Sequence, residues 1–146
     1  LLSAANRPQR GLNDTHGHAA GDLLLIEVAQ RLLHCVRQID TVSRTGGDEF
    51  VVVLNGLSAD FSTAGAECQH ISDKILAALS LPYRLSMAPN EPQAPSIEHR
   101  CTASLGATLF KGQALGLQEL MKKTDAAMYQ AKAAGRNRVQ FEASLN

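Results

Sequence analysis

The chain has 146 residues, and 14 Lys plus Arg balance 14 Asp plus Glu, so its formal net charge is zero. That balance argues against a general nucleic-acid coat protein, whose affinity comes from many phosphate contacts. No apolar run approaches the roughly 20 residues that a membrane helix needs, and the first ten residues, LLSAANRPQR, lack the basic-then-apolar order of a signal peptide. The apolar share of 45 % suits one globular domain over residues 1–146.

In chain order, residues 1–7 read as the tail of a helix that stops near Pro8. Residues 11–21 read as a polar, glycine-rich loop. Over residues 20–38 the period becomes helical: Leu24, Val28, Leu32 and Val36 fall four apart, with Leu25, Ala29 and Leu33 beside them. So wide an apolar face predicts packing against a sheet. Residues 41–44 are β-prone, 45–48 form a turn, and 50–54 (FVVVL) are apolar and mostly β-branched, which predicts a hairpin. A helix over 64–79 would carry Cys68, Ile71, Ile75 and Leu79 inward and end at Pro82. Residues 83–87 suit a strand, and the proline-rich 88–96 an exposed loop. Residues 100–110 alternate as a strand. A helix over 117–133 has Leu120, Met121, Ala127, Met128 and Ala131 on one stripe, with Gly135 as its stop. Residues 138–141 suit a last strand. Helices interleaved with hairpin-like strands predict an α/β fold with a mainly antiparallel sheet flanked by helices. Cys35, Cys68 and Cys101 are odd in number and widely spaced, so they read as buried thiols in a reducing cytosol.

Three segments carry chemistry. Gly46-Gly47-Asp48-Glu49-Phe50 puts two carboxylates at a tight turn before a buried strand. Such hard oxygen ligands suit Mg²⁺ or Mn²⁺ arriving with substrate phosphates, although a plain turn bearing solvated acids fits as well. Asn13-Asp14-Thr15-His16-Gly17-His18 leads to Asp22 in the first turn of a helix, where a carboxylate favours the dipole. The His16/His18 pair has no third ligand in sequence. Lys132 and Arg136 place two cations at a helix C-terminus, where they complement the dipole and would equally suit triphosphate oxygens.

Together these segments resemble the GGDEF family of diguanylate cyclases. Residues 46–50 match the signature letter for letter. NDTHGHAAGD is similar to the family's N-D-x-x-G-H-x-x-G-D, and DAAMYQAKAAGRN, from Asp125 to Asn137, to its A-D-x-A-M-Y-x-A-K-x-x-G-R-N. The resemblance implies the nucleotidyl-cyclase and polymerase-palm-like GGDEF fold. It implies condensation of two GTP into cyclic di-GMP with release of two pyrophosphates, using Mg²⁺ or Mn²⁺, in a homodimer. It further implies that Asn13 and Asp22 bind the guanine edge and that Gly46 and Gly47 let the nucleotide lie on the hairpin. Asp48 would ligate metal. Glu49 would assist with the metal or with deprotonating the attacking 3′-hydroxyl, and Lys132 and Arg136 would hold phosphates. Arg37-Gln38-Ile39-Asp40 fits R-x-x-D at the spacing of the family's inhibitory cyclic di-GMP site, though as a bare pattern it is also a surface ion pair. Fused sensory or phosphodiesterase domains, a cytoplasmic location (within a membrane-anchored protein in some cases) and no membrane contact by the domain itself are further expectations.

One departure stands out. The family begins with a strand of the form D-x-D-x-F-K, whose aspartate is a metal ligand, and NRPQR before Gly11 does not fit it. Deleting a central strand would strip the sheet of ladder partners. The first strand is therefore expected to be missing between Arg10 and Gly11, through a segment absent there rather than through degeneration. The competing function is a degenerate GGDEF module that senses cyclic di-GMP or GTP. A purely structural dimerisation domain ranks third.

Overall fold

A computed structural model describes residues 1–6, 9–112 and 115–142. The elements are β1 (Leu2–Asn6), α1 (Gln9–His16), α2 (His18–Cys35), β2 (Thr41–Gly46), β3 (Glu49–Val53), α3 (Phe61–Ser80), β4 (Tyr83–Ser86), β5 (Ser96–His99), β6 (Ala103–Ala107), α4 (Leu117–Ala133) and β7 (Arg138–Phe141). Five strands form the main sheet in the order β2-β3-β1-β6-β7, and β4 and β5 form a separate hairpin. Every pairing in the main sheet is antiparallel except β6 with β7. That one parallel pair is joined by α4, a βαβ crossover. The mainly antiparallel α/β fold is as predicted.

The helix tail expected at the start is instead β1, the middle strand of the sheet. Leu2 pairs with Val52 on one side and Ala107 on the other. Leu1, Leu2, Ala4 and Ala5 are all buried, so both faces are covered and no period-2 alternation marks the strand. Alanines favour helices locally, and two sheet partners override that preference. The first strand is thus present, and α1 runs unbroken through the Arg10–Gly11 junction. The expected stop at Pro8 lies outside the described residues.

The predicted loop over 11–21 is also corrected: it is the end of α1 and the start of α2. Gly17, at φ 85°, breaks the two helices apart, and its N–H closes α1 on the Asn13 carbonyl at 2.8 Å. Hydrophobic periodicity fails here because, among the described side chains of α1, Leu12 alone is buried. The strand expected over 100–110 shortens to β6, and β5 arises where the proline-rich loop was expected to end.

Leu2, Leu24, Val28, Leu32, Val52, Ile75, Leu79 and Leu105 pack between the sheet and α2 with α3. On the opposite face Leu1, Val51 and Leu120 form a smaller cluster beside α4. Cys35, Cys68 and Cys101 are buried as expected, and burial pushes the Cys35 and Cys68 thiols up. Arg31 on α2 ties α3 to β4. Its guanidinium donates to the carbonyls of Ala78, Leu81 and Pro82 at 2.7–2.8 Å and lies 3.7 Å from the Tyr83 ring centroid. No described helix is long and apolar enough to cross a membrane.

Helix α4 crosses the sheet in close contact at Gly106. A Cβ there would sit 2.0 Å from the Thr124 carbonyl oxygen and 2.4 Å from the Met128 nitrogen, both backbone atoms. Gly106→Ala is therefore expected to destabilise the domain by about 3 kcal/mol, at the upper end of overpacking costs. Urea unfolding followed by circular dichroism checks this, and an unchanged midpoint would contradict it.

Candidate functional site

The strand register gathers the predicted site residues at one end of the sheet. A single row crosses it: Gly46 pairs with Glu49, Glu49 with Ala5, Ala5 with Ser104, and Ser104 with Arg138. The β2–β3 turn and the start of β7 therefore share an end. Chain leaving β1 at that end enters α1, which carries Asn13. Chain leaving α4 reaches β7 through Arg136.

The turn itself is well defined. Gly47 takes φ 52°, a left-handed conformation that glycine adopts without strain, and a Cβ at Gly46 or Gly47 would meet nothing within 4 Å. Arg44 Nε donates to the Gly47 carbonyl at 2.9 Å and closes the turn. Asp48 is half-buried and Glu49 exposed. The backbone around the glycines is thus open for a ligand to approach.

Asn13 and Asp22 flank the α1–α2 break. The Asn13 side chain lies where a Cβ at Gly21 would be, 1.9 Å from its Oδ1. That oxygen is buried and has no hydrogen-bond partner among the described residues. An unpaired buried acceptor is costly, typically 1–3 kcal/mol, and invites a donor from a ligand. Asp22 is exposed and lines a cleft of about 420 Å³ between α2 and β2, with Leu25, Ile26, Ala29, Arg44 and Phe50. An apolar cleft carrying one carboxylate suits a flat, donor-bearing ring.

Past the C-terminus of α4, Gly135, Arg136 and Asn137 all take positive φ, at 115°, 61° and 47°. Left-handed backbone is uncommon for Arg, and such positions cluster where a side chain must be aimed. The Arg136 N–H bonds the Ala131 carbonyl at 3.0 Å and fixes the turn. Lys132 is half-buried in the last turn of α4, and Arg136 is exposed.

The metal reading fares less well. Asp48 and Glu49 are adjacent in sequence, and β1 offers only Ala5 opposite Glu49, with no acid anywhere in LSAAN. Directly opposed residues of an antiparallel pair share a face. Ala5 is therefore the position from which a strand carboxylate would join Glu49. No group of three or more His, Cys, Asp or Glu able to hold a metal occurs among the described residues. The residues present do not complete a protein-held metal centre. His16 and His18 gain no third ligand either. One interaction has no forerunner in the sequence reading: Asp125 of α4 accepts from Ser3 Oγ at 2.9 Å, which ties α4 to β1. Only the pairing of β1 beside α4 brings these two residues together.

Arg37 and Asp40 sit elsewhere. They precede β2, about 20 Å along that strand from Gly46 at its usual rise. The Asp40 carboxylate is fully buried and accepts from the backbone N–H of Arg37 at 2.8 Å and of Asn55 at 2.9 Å. Arg37 Nη2 donates to the Asn55 carbonyl at 2.6 Å, and Arg37 Nε lies 3.6 Å from Asp40. Asp40 thus pins the α2–β2 connection to the loop after β3.

The family model "Diguanylate cyclase, GGDEF domain" matches residues 10–138. The chain is 40 % identical over 138 residues to the bifunctional diguanylate cyclase/cyclic di-GMP phosphodiesterase MucR of Pseudomonas aeruginosa, covering 94 % of this chain and 18 % of that one. It is 34 % identical over 130 residues to diguanylate cyclase A of Treponema denticola, covering 89 % and 31 %. The chain thus spans less than a third of the length of either relative. Among solved structures, the crystal structure of the GGDEF domain of YfiN (TpbB) from Pseudomonas aeruginosa superposes with a TM-score of 0.80 at 32 % identity, covering 99 % of this chain and 81 % of that one. The matched fold, the intact turn and the matched family together establish that this chain belongs to the GGDEF domain family of diguanylate cyclases.

Proposed function

We propose that this domain binds GTP at the hairpin end of the sheet and acts as a nucleotide-responsive regulatory module whose own cyclase turnover is lost or strongly reduced. The observation that carries the reading is Ala5 opposite Glu49, where β1 offers no carboxylate. Phosphoryl transfer depends on charge neutralisation and in-line positioning, so an incomplete acid set removes catalysis before it removes binding. Binding rests on other groups: Asn13 and Asp22 toward the guanine edge, the open backbone at Gly46 and Gly47, and Lys132 with Arg136 toward the phosphates. Any Mg²⁺ would arrive with those phosphates.

The intact turn favours a second reading, a diguanylate cyclase that condenses two GTP into cyclic di-GMP as a homodimer, with Asp48 and Glu49 as its acids. Arg37 and Asp40 would then be its inhibitory site. The GGDEF domain of DgcB from Caulobacter crescentus, alike in fold at 24 % identity, is known in complex with cyclic di-GMP, and MucR's name joins a cyclase to a phosphodiesterase. Fusion to sensory or phosphodiesterase domains is accordingly proposed for the whole protein.

One experiment separates the readings. The protein is titrated with a fluorescent GTP analogue and separately incubated with GTP and Mg²⁺, with chromatography for cyclic di-GMP. The regulatory reading expects binding without product, and at least a tenfold weaker affinity in Asp22→Ala, the usual consequence of losing a hydrogen bond to a charged group. Product formed by the parent protein and lost in Glu49→Ala would establish the cyclase reading instead.

A further inference from the structure

Helix α1 does more than carry Asn13: it faces the β4–β5 hairpin, an element outside the main sheet. The two are separated by a cleft of about 230 Å³, lined by Leu12, Thr15 and His16 of α1 and by Ile97, Glu98 and His99 of β5. Two imidazoles therefore look into one cleft from opposite walls.

His99 is half-buried, and its Nε2 is shut off from solvent without a hydrogen-bond partner. The charged groups around it offer no relief. Across the hairpin it pairs with Tyr83, whose hydroxyl is committed to the Leu79 carbonyl at 2.9 Å. Burial pushes the Tyr83 phenol far up, so it stays neutral. Behind Tyr83, Arg31 and Glu27 of α2 pair with each other at 3.2 Å. Next to His99 along the chain, Glu98 is paired with Arg100 at 3.5 Å. From α1 the group that faces it across the cleft is His16, which disfavours a charge on His99. Asp14 on the same helix is exposed.

We infer that His99, facing His16 across this cleft, is an acid-sensitive latch that keeps the Asn13-bearing helix α1 in place beside the β4–β5 hairpin while the His99 ring is neutral. Protonation of His99 leaves a charged, buried Nε2–H without an acceptor, facing His16 across the cleft. The cleft between the hairpin and α1 then widens, and Asn13 loses its place against Gly21.

The sign of the pH dependence follows from the folded state. Burial, with the His16 charge as a second cause, holds His99 below the ordinary histidine value of 6.5. The closed form is therefore fully favoured above 6.5 and is lost as pH falls through the depressed folded value.

The nucleotide arm of the test rests on the GTP reading proposed above, and the conformational arm does not. Amide hydrogen exchange in α1 is compared at pH 7.5 and 5.5, after correction for intrinsic exchange, in the parent protein, in His99→Gln and in His16→Asn. The fluorescent GTP analogue is titrated in parallel, and its own γ-phosphate protonation is common to all three proteins. In the parent, acid should speed α1 exchange and weaken nucleotide binding by about fivefold, the lower end of ordinary coupling. Both effects should vanish in His99→Gln and shrink in His16→Asn. Exchange in α1 that ignores pH in the parent, or responds equally in His99→Gln, overturns the latch. A latch that operates while no nucleotide binds at either pH overturns the GTP reading alone.

Discussion

Ala5→Asp is expected to raise cyclic di-GMP production from GTP and Mg²⁺ by about two to three orders of magnitude. The substitution puts a carboxylate on β1, on the face and in the register row of Glu49. Metal-assisted charge stabilisation is worth several kcal/mol in phosphoryl chemistry, and each ~1.4 kcal/mol is tenfold in rate. Ala5 is buried at 4 % exposure, so the new acid has to be tolerated next to the open hairpin turn. Ala5→Asn, of similar volume and without charge, controls for folding and should stay as inactive as the parent. Adding Glu49→Ala to Ala5→Asp should remove the gained activity. A parent that already matches Ala5→Asp in rate would show that the strand acid is dispensable.

Asp40→Ala is expected to cost about 3 kcal/mol of stability, whereas Arg37→Ala costs under about 1 kcal/mol. The two residues look equivalent in R-x-x-D, and the structure separates them. The Asp40 carboxylate is buried and accepts two backbone N–H groups from different segments. Hydrogen bonds to a charged group contribute about 1.5–3 kcal/mol each. Arg37 is 53 % exposed in its side chain, and its pairing is of the weak surface kind. Urea denaturation of the two variants decides between them, and equal losses would contradict the assignment. The difference matters for testing the proposed inhibitory site. Altered inhibition in Asp40→Ala would be confounded by loosening of the Asn55 loop, so Arg37→Ala is the cleaner probe of cyclic di-GMP binding.

Much of this fold is legible in the sequence because periodicity reports burial on one face. The stripes of α2, α3 and α4 and the FVVVL strand each face one core, and each falls near its predicted place. The failures share a cause. β1 is covered on both faces and short, so LSAAN shows neither period and its alanines suggest a helix. α1 is polar in sequence, and Leu12 alone of its described side chains joins the core, so only Gly17 punctuates it. β5 follows three prolines and is defined by its partner β4, not by its own composition.

The candidate site divides in the same way. The turn, the α1–α2 residues and the Lys132/Arg136 pair are contiguous in sequence, and the strand register brings their ends together. What sequence cannot supply is the pairing of Ala5 with Glu49, because the vacancy becomes visible only once β1 is recognised as a strand. Nor can it reveal that Asp40 is consumed by two backbone groups. The cleft shared by His16 and His99 joins segments 83 positions apart with no motif between them.

The central place of β1 also bears on how the chain acquires its structure during synthesis. Its first residues pair with Val52 on one flank and Ala107 on the other. Made before both of its partners, this apolar segment has none until the β2–β3 hairpin follows, and it lacks its second until β6 appears. The sheet therefore closes late, through contacts of long sequence separation, which is the slow route to a folded state. In the interval, an exposed apolar segment with both edges open is a ready template for mispairing with other chains. The strand order of this domain thus leaves its central strand unpaired for the longest part of its synthesis.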